Sequence, residues 1–118
     1  MSNTQLADQV REFLAWVKPR LGIEGAVNVK LLQHDIVNGK QKSFGSFNVQ
    51  TQQIRVTVKD RHVLDILRSL CHELVHLRQH QQNRLVATDG QTGSEQENEA
   101  NAVAGVMLRD WNRTDRQG

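Results

Sequence analysis

The spacing of the apolar residues changes at Asp60, and this change constrains the fold of the 118-residue chain most strongly. Before it, Ile54, Val56 and Val58 alternate with polar residues, a period of two that is typical of a half-buried strand. After it, apolar residues recur at intervals of three and four, as on one face of a helix: Val63, Ile66, Leu67, Leu70, Leu74 and Leu77. A sheet packed against a long helix therefore has to form the core, which predicts an α+β domain.

The other apolar patterns predict two further helices and two further strands. We expect a helix over Thr4–Lys18, ended by Pro19, and strands over Ala26–Gln33 and around Phe47. The polar residues 51–53 predict that the second and third strands run antiparallel within a three-stranded sheet. A single domain, 1–118, is then divided into helix plus sheet (1–59), a long central helix (60–83), a loop (84–94), a last helix (95–112) and a tail (113–118).

Polar residues predict where these elements begin and turn. Asp60 is the expected N-cap of the central helix, and Ser94 with Glu97 fits a capping box at the start of the last helix. Asn38-Gly39 is a turn dipeptide, set in a loop that we expect to be longer than a tight hairpin.

The composition excludes several classes of protein. The 15 basic residues are nearly balanced by 13 acidic ones, so no nucleic-acid partner is expected. The single Cys excludes an internal disulfide and fits a reducing compartment. The N-terminal residues lack the pattern of a secretory signal, and no apolar run approaches the length of a membrane span. We therefore expect a cytoplasmic protein.

The residues that indicate chemistry lie in the middle of the central helix and read His72-Glu73-Leu74-Val75-His76. Two His four positions apart project from one face of a helix, one turn apart, where one Zn²⁺ can bind both imidazoles. Glu73 lies about 100° around the helix from His72, so it flanks the metal and can act as a general base.

A catalytic zinc site needs a third protein ligand, and three acids open the last helix. Glu99 is the expected ligand because small residues follow it at Ala100 and Ala102, which lets the two helices approach closely. Glu95 is the alternative ligand. The acids not used by the metal would favour the positive end of the helix dipole.

These motifs carry a family resemblance. The central motif, followed by Asn98-Glu99-Ala100, resembles the gluzincins, zinc metallopeptidases in which two motif His and a Glu from a later helix bind zinc. Residues 97–104, Glu-x-Glu-Ala-Asn-x-Val-Ala, are similar to the Glu-x-Glu-Ala-Asn-x-Phe-Ala signature of the ImmA/IrrE-type peptidases of mobile elements and stress regulation. The order of elements resembles a minimal, single-domain gluzincin scaffold.

The resemblance implies a zincin-like fold and a zinc-dependent endopeptidase. It implies that His72, His76 and Glu99 bind Zn²⁺ and that Glu73 is the general base. It also implies a peptide or protein substrate that lies extended along an edge strand, for which we expect Phe44–Gln50.

Two departures from the family pattern favour an alternative. Larger gluzincins carry an Asp four residues beyond the ligand, where this chain has Val103, and they use a Tyr or His from another subdomain to stabilise the intermediate. This chain has no Tyr. The alternative is a latent or non-catalytic zinc-binding regulatory module, in which Asp110 or Asp115 folds back onto the metal. A structural or DNA-associated protein with a surface His pair is a third possibility.

The residues next to the motif are expected to be surface or structural residues. His80 is expected at the surface, and Arg78 and Gln79 are expected on the solvated end of the central helix. Cys71 is expected to be a buried structural thiol.

Overall fold

The computed structural model describes residues 3–34, 36–38, 41–82 and 95–113, which form three helices and five short strands. The elements in chain order are α1 (Asn3–Leu21), β1 (Asn28–Leu32), β2 (Ile36–Asn38), β3 (Gln41–Ser43), β4 (Gly45–Phe47), β5 (Gln53–Thr57), α2 (Val63–Gln81) and α3 (Glu95–Arg113). The predicted α+β class is confirmed. None of the helices described is long and apolar enough to cross a membrane.

A mixed sheet of three strands has the order β1-β5-β4, which confirms the predicted strand number. β5 is central and pairs with β1 in parallel and with β4 in antiparallel orientation, as the polar connection predicted. The side chain of Asn48 shapes that connection by accepting hydrogen bonds from the backbone N–H groups of Gln50 and Thr51. β4 is therefore an edge strand within the part of the chain described, and it lies inside the predicted segment Phe44–Gln50.

A separate antiparallel pair, β2 with β3, was not predicted. Its register places Asn38 opposite Gln41, so only positions 39 and 40 lie between the strands. The expectation of a longer loop around Asn38 is therefore wrong, because only two residues separate the two strands.

Two helix boundaries differ from the prediction. α1 continues through Pro19 to Leu21 because a Pro in the last turn removes only one helical hydrogen bond. Gly22, at φ +74°, then ends the helix, with Ile23 N–H donating to the carbonyl of Lys18 as in a Schellman motif.

The start of α2 also differs. His62, not Asp60, caps it: Nδ1 of His62 accepts from the backbone N–H of Leu64 at 3.1 Å. Asp60 instead adopts a positive φ of 54° in the turn before the helix. The expected cap of the last helix, Ser94, lies outside the described residues.

α2 is the central element of the core. It contacts α1, α3, β4 and β5, so most of its circumference is covered. Its buried side chains pack in a core that is mostly aliphatic. The exception is an aromatic group of Phe13, Trp16 and Trp111, which packs α1 against the C-terminal half of α3. Each fully buried Leu of α2 contributes about 1.5–3 kcal/mol of transfer free energy. This packing holds the middle of α2 rigidly.

Candidate metal centre

His72 and His76 lie one turn apart on α2 and face the same way. Their Nε2 atoms are 3.2 Å apart, and their ring planes stand nearly perpendicular, at 81°. His76 is buried and His72 partly buried, because α3 covers this face of α2. The predicted pairing of the two imidazoles on one helix face is therefore present in the structure.

Glu97, in the first turns of α3, brings a carboxylate to both rings. Oε1 lies 2.8 Å from Nε2 of His72, and Oε2 lies 3.1 Å from Nε2 of His76. One donor atom from each of the three residues lies within 4.8 Å of the others. Two imidazole nitrogens and one carboxylate oxygen are the ligand types of a catalytic zinc site.

The structure differs from the sequence-based expectation at the third ligand. Glu97, Ala100, Asn101 and Ala104 follow the helical spacing of one face, and the two Ala are fully buried against the core. Ala100 is buried, in keeping with close approach of the two helices, but Ala102 is exposed, and the acid on the face of Ala100 and Ala104 is Glu97. Glu99 was favoured because it directly precedes Ala100. Around the helix axis, however, its side chain points about 160° away from that of Glu97, on the other side of Ala100.

The two other acids of α3 have different surroundings. Glu99 accepts a hydrogen bond from the amide nitrogen of Gln79 at 2.9 Å and lies 3.5 Å from Nη2 of Arg78. Glu95, the alternative ligand, is exposed at the helix start. Glu97 is therefore the acid that the structure brings to the two imidazoles.

A second set of polar side chains surrounds the imidazoles. Nδ1 of His76 lies 2.9 Å from Oε1 of Gln79, and the side chain of Asn101 hydrogen-bonds His72. Gln79 was expected on a solvated face, and that expectation is wrong: it is 0% exposed because α3 packs over it. Arg78 is partly buried, so it too is not fully solvated.

The surroundings shift two pKa values. Burial, with a smaller repulsion from His76, lowers the pKa of His72, although Glu97 and the hydrogen bonds act in the opposite direction. Burial raises the pKa of Glu73 to about 8, and the nearby Glu97 charge adds to the increase. A neutral imidazole is the form that binds a metal, and a bound cation would lower the pKa of Glu73 again.

A cleft of about 420 Å³ opens beside the candidate ligands. It is lined by Ser43, Phe44, Gly45, Arg68, Ser69, His72, Glu73, Asn101 and Ala104. A Cβ atom at Gly45 would lie 3.1 Å from Cγ of Glu73, so the absence of a side chain there lets the edge strand β4 lie against this carboxyl group. The cleft thus joins an edge strand, a buried carboxyl group and His72, one of the three candidate ligands.

The remaining candidate residues lie outside this constellation. His80 is partly exposed, as expected of a surface residue, and its ring lies 5.9 Å from that of Phe47. Cys71 is buried as expected, and burial raises the pKa of its thiol to about 12. Asp110 is part of α3, 13 residues from Glu97 and thus about 20 Å along the helix. It cannot fold back onto the site as expected; Asp115 lies outside the described residues.

Comparisons of the chain with protein-family models, with curated proteins and with solved structures gave no significant match.

Proposed function

We propose that this protein is a zinc-dependent peptidase with a zincin-like fold. The observation that carries the proposal is the convergence of His72, His76 and Glu97. His72 and the buried carboxyl group of Glu73 also line an open cleft. His72, His76 and Glu97 would hold the ion, which when bound would acidify a water molecule and polarise a peptide carbonyl.

The chain's own residues supply the rest of the chemistry. Glu73 is held against the cleft by its position next to His72, and burial brings its pKa near neutrality. It accepts the proton of the attacking water and returns it to the leaving amine. Arg68 lines the same cleft, one helical turn before His72, and its guanidinium provides positive charge for the developing oxyanion.

The edge strand β4 is the proposed docking site of the substrate. Within the described residues it pairs only with β5, and its first residue, Gly45, borders the cleft. An extended peptide added alongside β4 would receive main-chain hydrogen bonds and would pass Glu73.

The choice of Glu97 also resolves a departure from the gluzincin pattern. The residue four positions beyond Glu97 is Asn101, and its side chain hydrogen-bonds His72. Asn101 thus takes the place in which larger gluzincins carry an Asp that orients a zinc-binding His. Counted from Glu99, that place falls on Val103.

Zinc content and peptide hydrolysis, measured on the same preparations, test the proposal. The wild-type protein should bind one zinc and cleave a fluorogenic peptide library. Glu73→Gln should keep the zinc and lose about 10²–10⁴-fold in hydrolysis. Glu97→Gln should lose both, whereas Glu99→Gln and the exposed control Glu95→Gln should keep the zinc.

Two results would contradict the proposal in different ways. If Glu99→Gln loses zinc and Glu97→Gln retains it, the third ligand is Glu99. If the wild-type protein takes up no zinc, the proposed cofactor is wrong.

The absence of Tyr favours a second candidate, a zinc-binding regulatory module without turnover. Stoichiometric zinc that depends on His72, His76 and Glu97, with no hydrolysis of any peptide in the library, would establish this candidate instead.

A further inference from the structure

Gln79 is a fully buried polar side chain between α2 and α3. It is 0% exposed, so its amide group has no access to water. A buried amide without partners costs about 1–3 kcal/mol by protein mutational data. Here the amide forms three hydrogen bonds, to the His76 ring, to the backbone of Gln96 and to the Glu99 carboxylate.

The partners of the amide determine which way it points. One end lies 3.0 Å from the carbonyl oxygen of Gln96 and 2.9 Å from a carboxylate oxygen of Glu99. Both partners are acceptors, so this end must be the NH₂ group, and Oε1 must face His76. Nδ1 of His76 therefore donates its proton to Oε1, at 2.9 Å. Nε2 faces His72 and Glu97, and its lone pair becomes a ligand when a cation replaces the proton that Nε2 can donate to the Glu97 carboxylate.

The same amide also fixes the start of α3. Its two acceptors belong to Gln96 and Glu99, which flank Glu97 in the chain. The first turns of α3 are thereby attached to the residue that orients His76. One side chain thus links two of the three candidate ligands, although it contacts neither ligating atom.

We propose that Gln79 is a positioning residue that holds His76 as the Nδ1–H tautomer and sets the register of Glu97 against it. The proposal deepens the proposed zinc site and rests on it for the effect on affinity. The effect on the tautomer concerns the metal-free protein, so the two parts are tested separately.

The test uses Gln79→Met, which has nearly the same length but cannot donate a hydrogen bond, and Gln81→Leu, an exposed Gln on the same helix, as the matched control. Nitrogen-15 NMR of histidine-labelled, chelator-treated protein reads directly whether Nδ1 of His76 carries a proton. Wild type and Gln81→Leu should show the Nδ1–H form, and Gln79→Met should lose it. Zinc affinity, measured by competition with a chromophoric chelator, should fall about 10–100-fold only in Gln79→Met.

A second variant, Gln79→Glu, separates the role in orienting His76 from the role in positioning Glu97. It also replaces Gln79→Met in the test if that variant does not fold. A carboxylate still accepts from His76 but cannot donate to Gln96 and is repelled by Glu99. This variant should keep the Nδ1–H tautomer and still bind zinc about 10–100-fold more weakly.

The outcomes distinguish failure of this proposal from failure of the proposed function. An unchanged tautomer in Gln79→Met, or loss of the tautomer in Gln79→Glu, overturns the role in orienting His76. Wild-type zinc affinity in either folded variant overturns the role in aligning the ligands and leaves the zinc site intact. If the wild-type protein itself binds no zinc, the proposed function fails, and the tautomer measurement still decides the role of Gln79 toward His76.

Discussion

Replacing Glu73 by Gln should make the metal-free protein more stable, increasingly so as the pH rises. Glu73 is 8% exposed, and burial raises its pKa from the ordinary value of 4.5 to about 8. The folded protein therefore binds this proton more tightly than the unfolded chain does. The free energy of unfolding is therefore highest below pH 4.5, where Glu73 is neutral in both states, and it falls as the pH rises toward 8.

The size of the effect follows from the two pKa values. Each pKa unit corresponds to about 1.4 kcal/mol, so ionisation of Glu73 costs about 1 kcal/mol of folding free energy at pH 5 and about 4 kcal/mol at pH 8. Gln has the same shape and no charge. The difference in unfolding free energy between Glu73→Gln and wild type should therefore grow by about 3 kcal/mol between these pH values.

Urea unfolding of chelator-treated proteins at pH 5 and pH 8 measures this difference, and pH effects common to both proteins cancel in the comparison. Glu24→Gln, at an exposed site, is the control for replacing a carboxyl group by an amide. If the difference for Glu73→Gln is the same at both pH values, Glu73 is hydrated in the folded protein and the interpretation of the site is wrong.

Three further predictions concern the cleft and its surroundings. Gly45→Ala should destabilise the protein by about 1–3 kcal/mol in urea unfolding, because the new Cβ would lie 3.1 Å from Cγ of Glu73. Gly105→Ala, where the Cβ would have open space inside a helix, should stabilise it by about 0.5–1 kcal/mol; equal effects would contradict the close approach at Gly45. Arg68→Ala should lower kcat by about 10²-fold without changing zinc content, and unchanged turnover would remove Arg68 from the mechanism. Cys71 should react with a thiol reagent only after unfolding, because it is fully buried; rapid labelling of the native protein would refute its burial.

Much of the architecture could be predicted from the spacing of apolar residues along the chain, because each of the main elements has one continuous apolar face. The change of period at Asp60 separates β5 from α2, and alternation around Ile54 identifies the central strand. β2 and β3 could not be predicted in this way, because three residues each are too few to show a period. The start of α2 was also missed, since His62 and not Asp60 caps this helix, whereas α3 begins at Glu95 as predicted.

The residues of the candidate site also differ in how well the sequence predicts them. Some depend only on geometry within one helix, and others depend on how α3 packs on α2. The His72–His76 pair follows from helical geometry within α2. Glu97 could have been selected from its spacing to Ala100 and Ala104, which marks the face of α3 turned toward α2. The burial of Gln79 depends on where α3 crosses α2, and no pattern within α2 contains that information.

The aromatic group between α1 and α3 has a spectroscopic consequence. Both Trp residues of the chain lie in it, with ring centroids 5.3 Å apart, and the chain has no Tyr. Intrinsic fluorescence therefore comes from this single location, where Trp111 is buried against α1. Glu97 lies at the opposite end of the same α3 helix. A change in Trp emission on adding metal would therefore show, without any label, that metal binding near Glu97 alters the surroundings of Trp at the far end of α3.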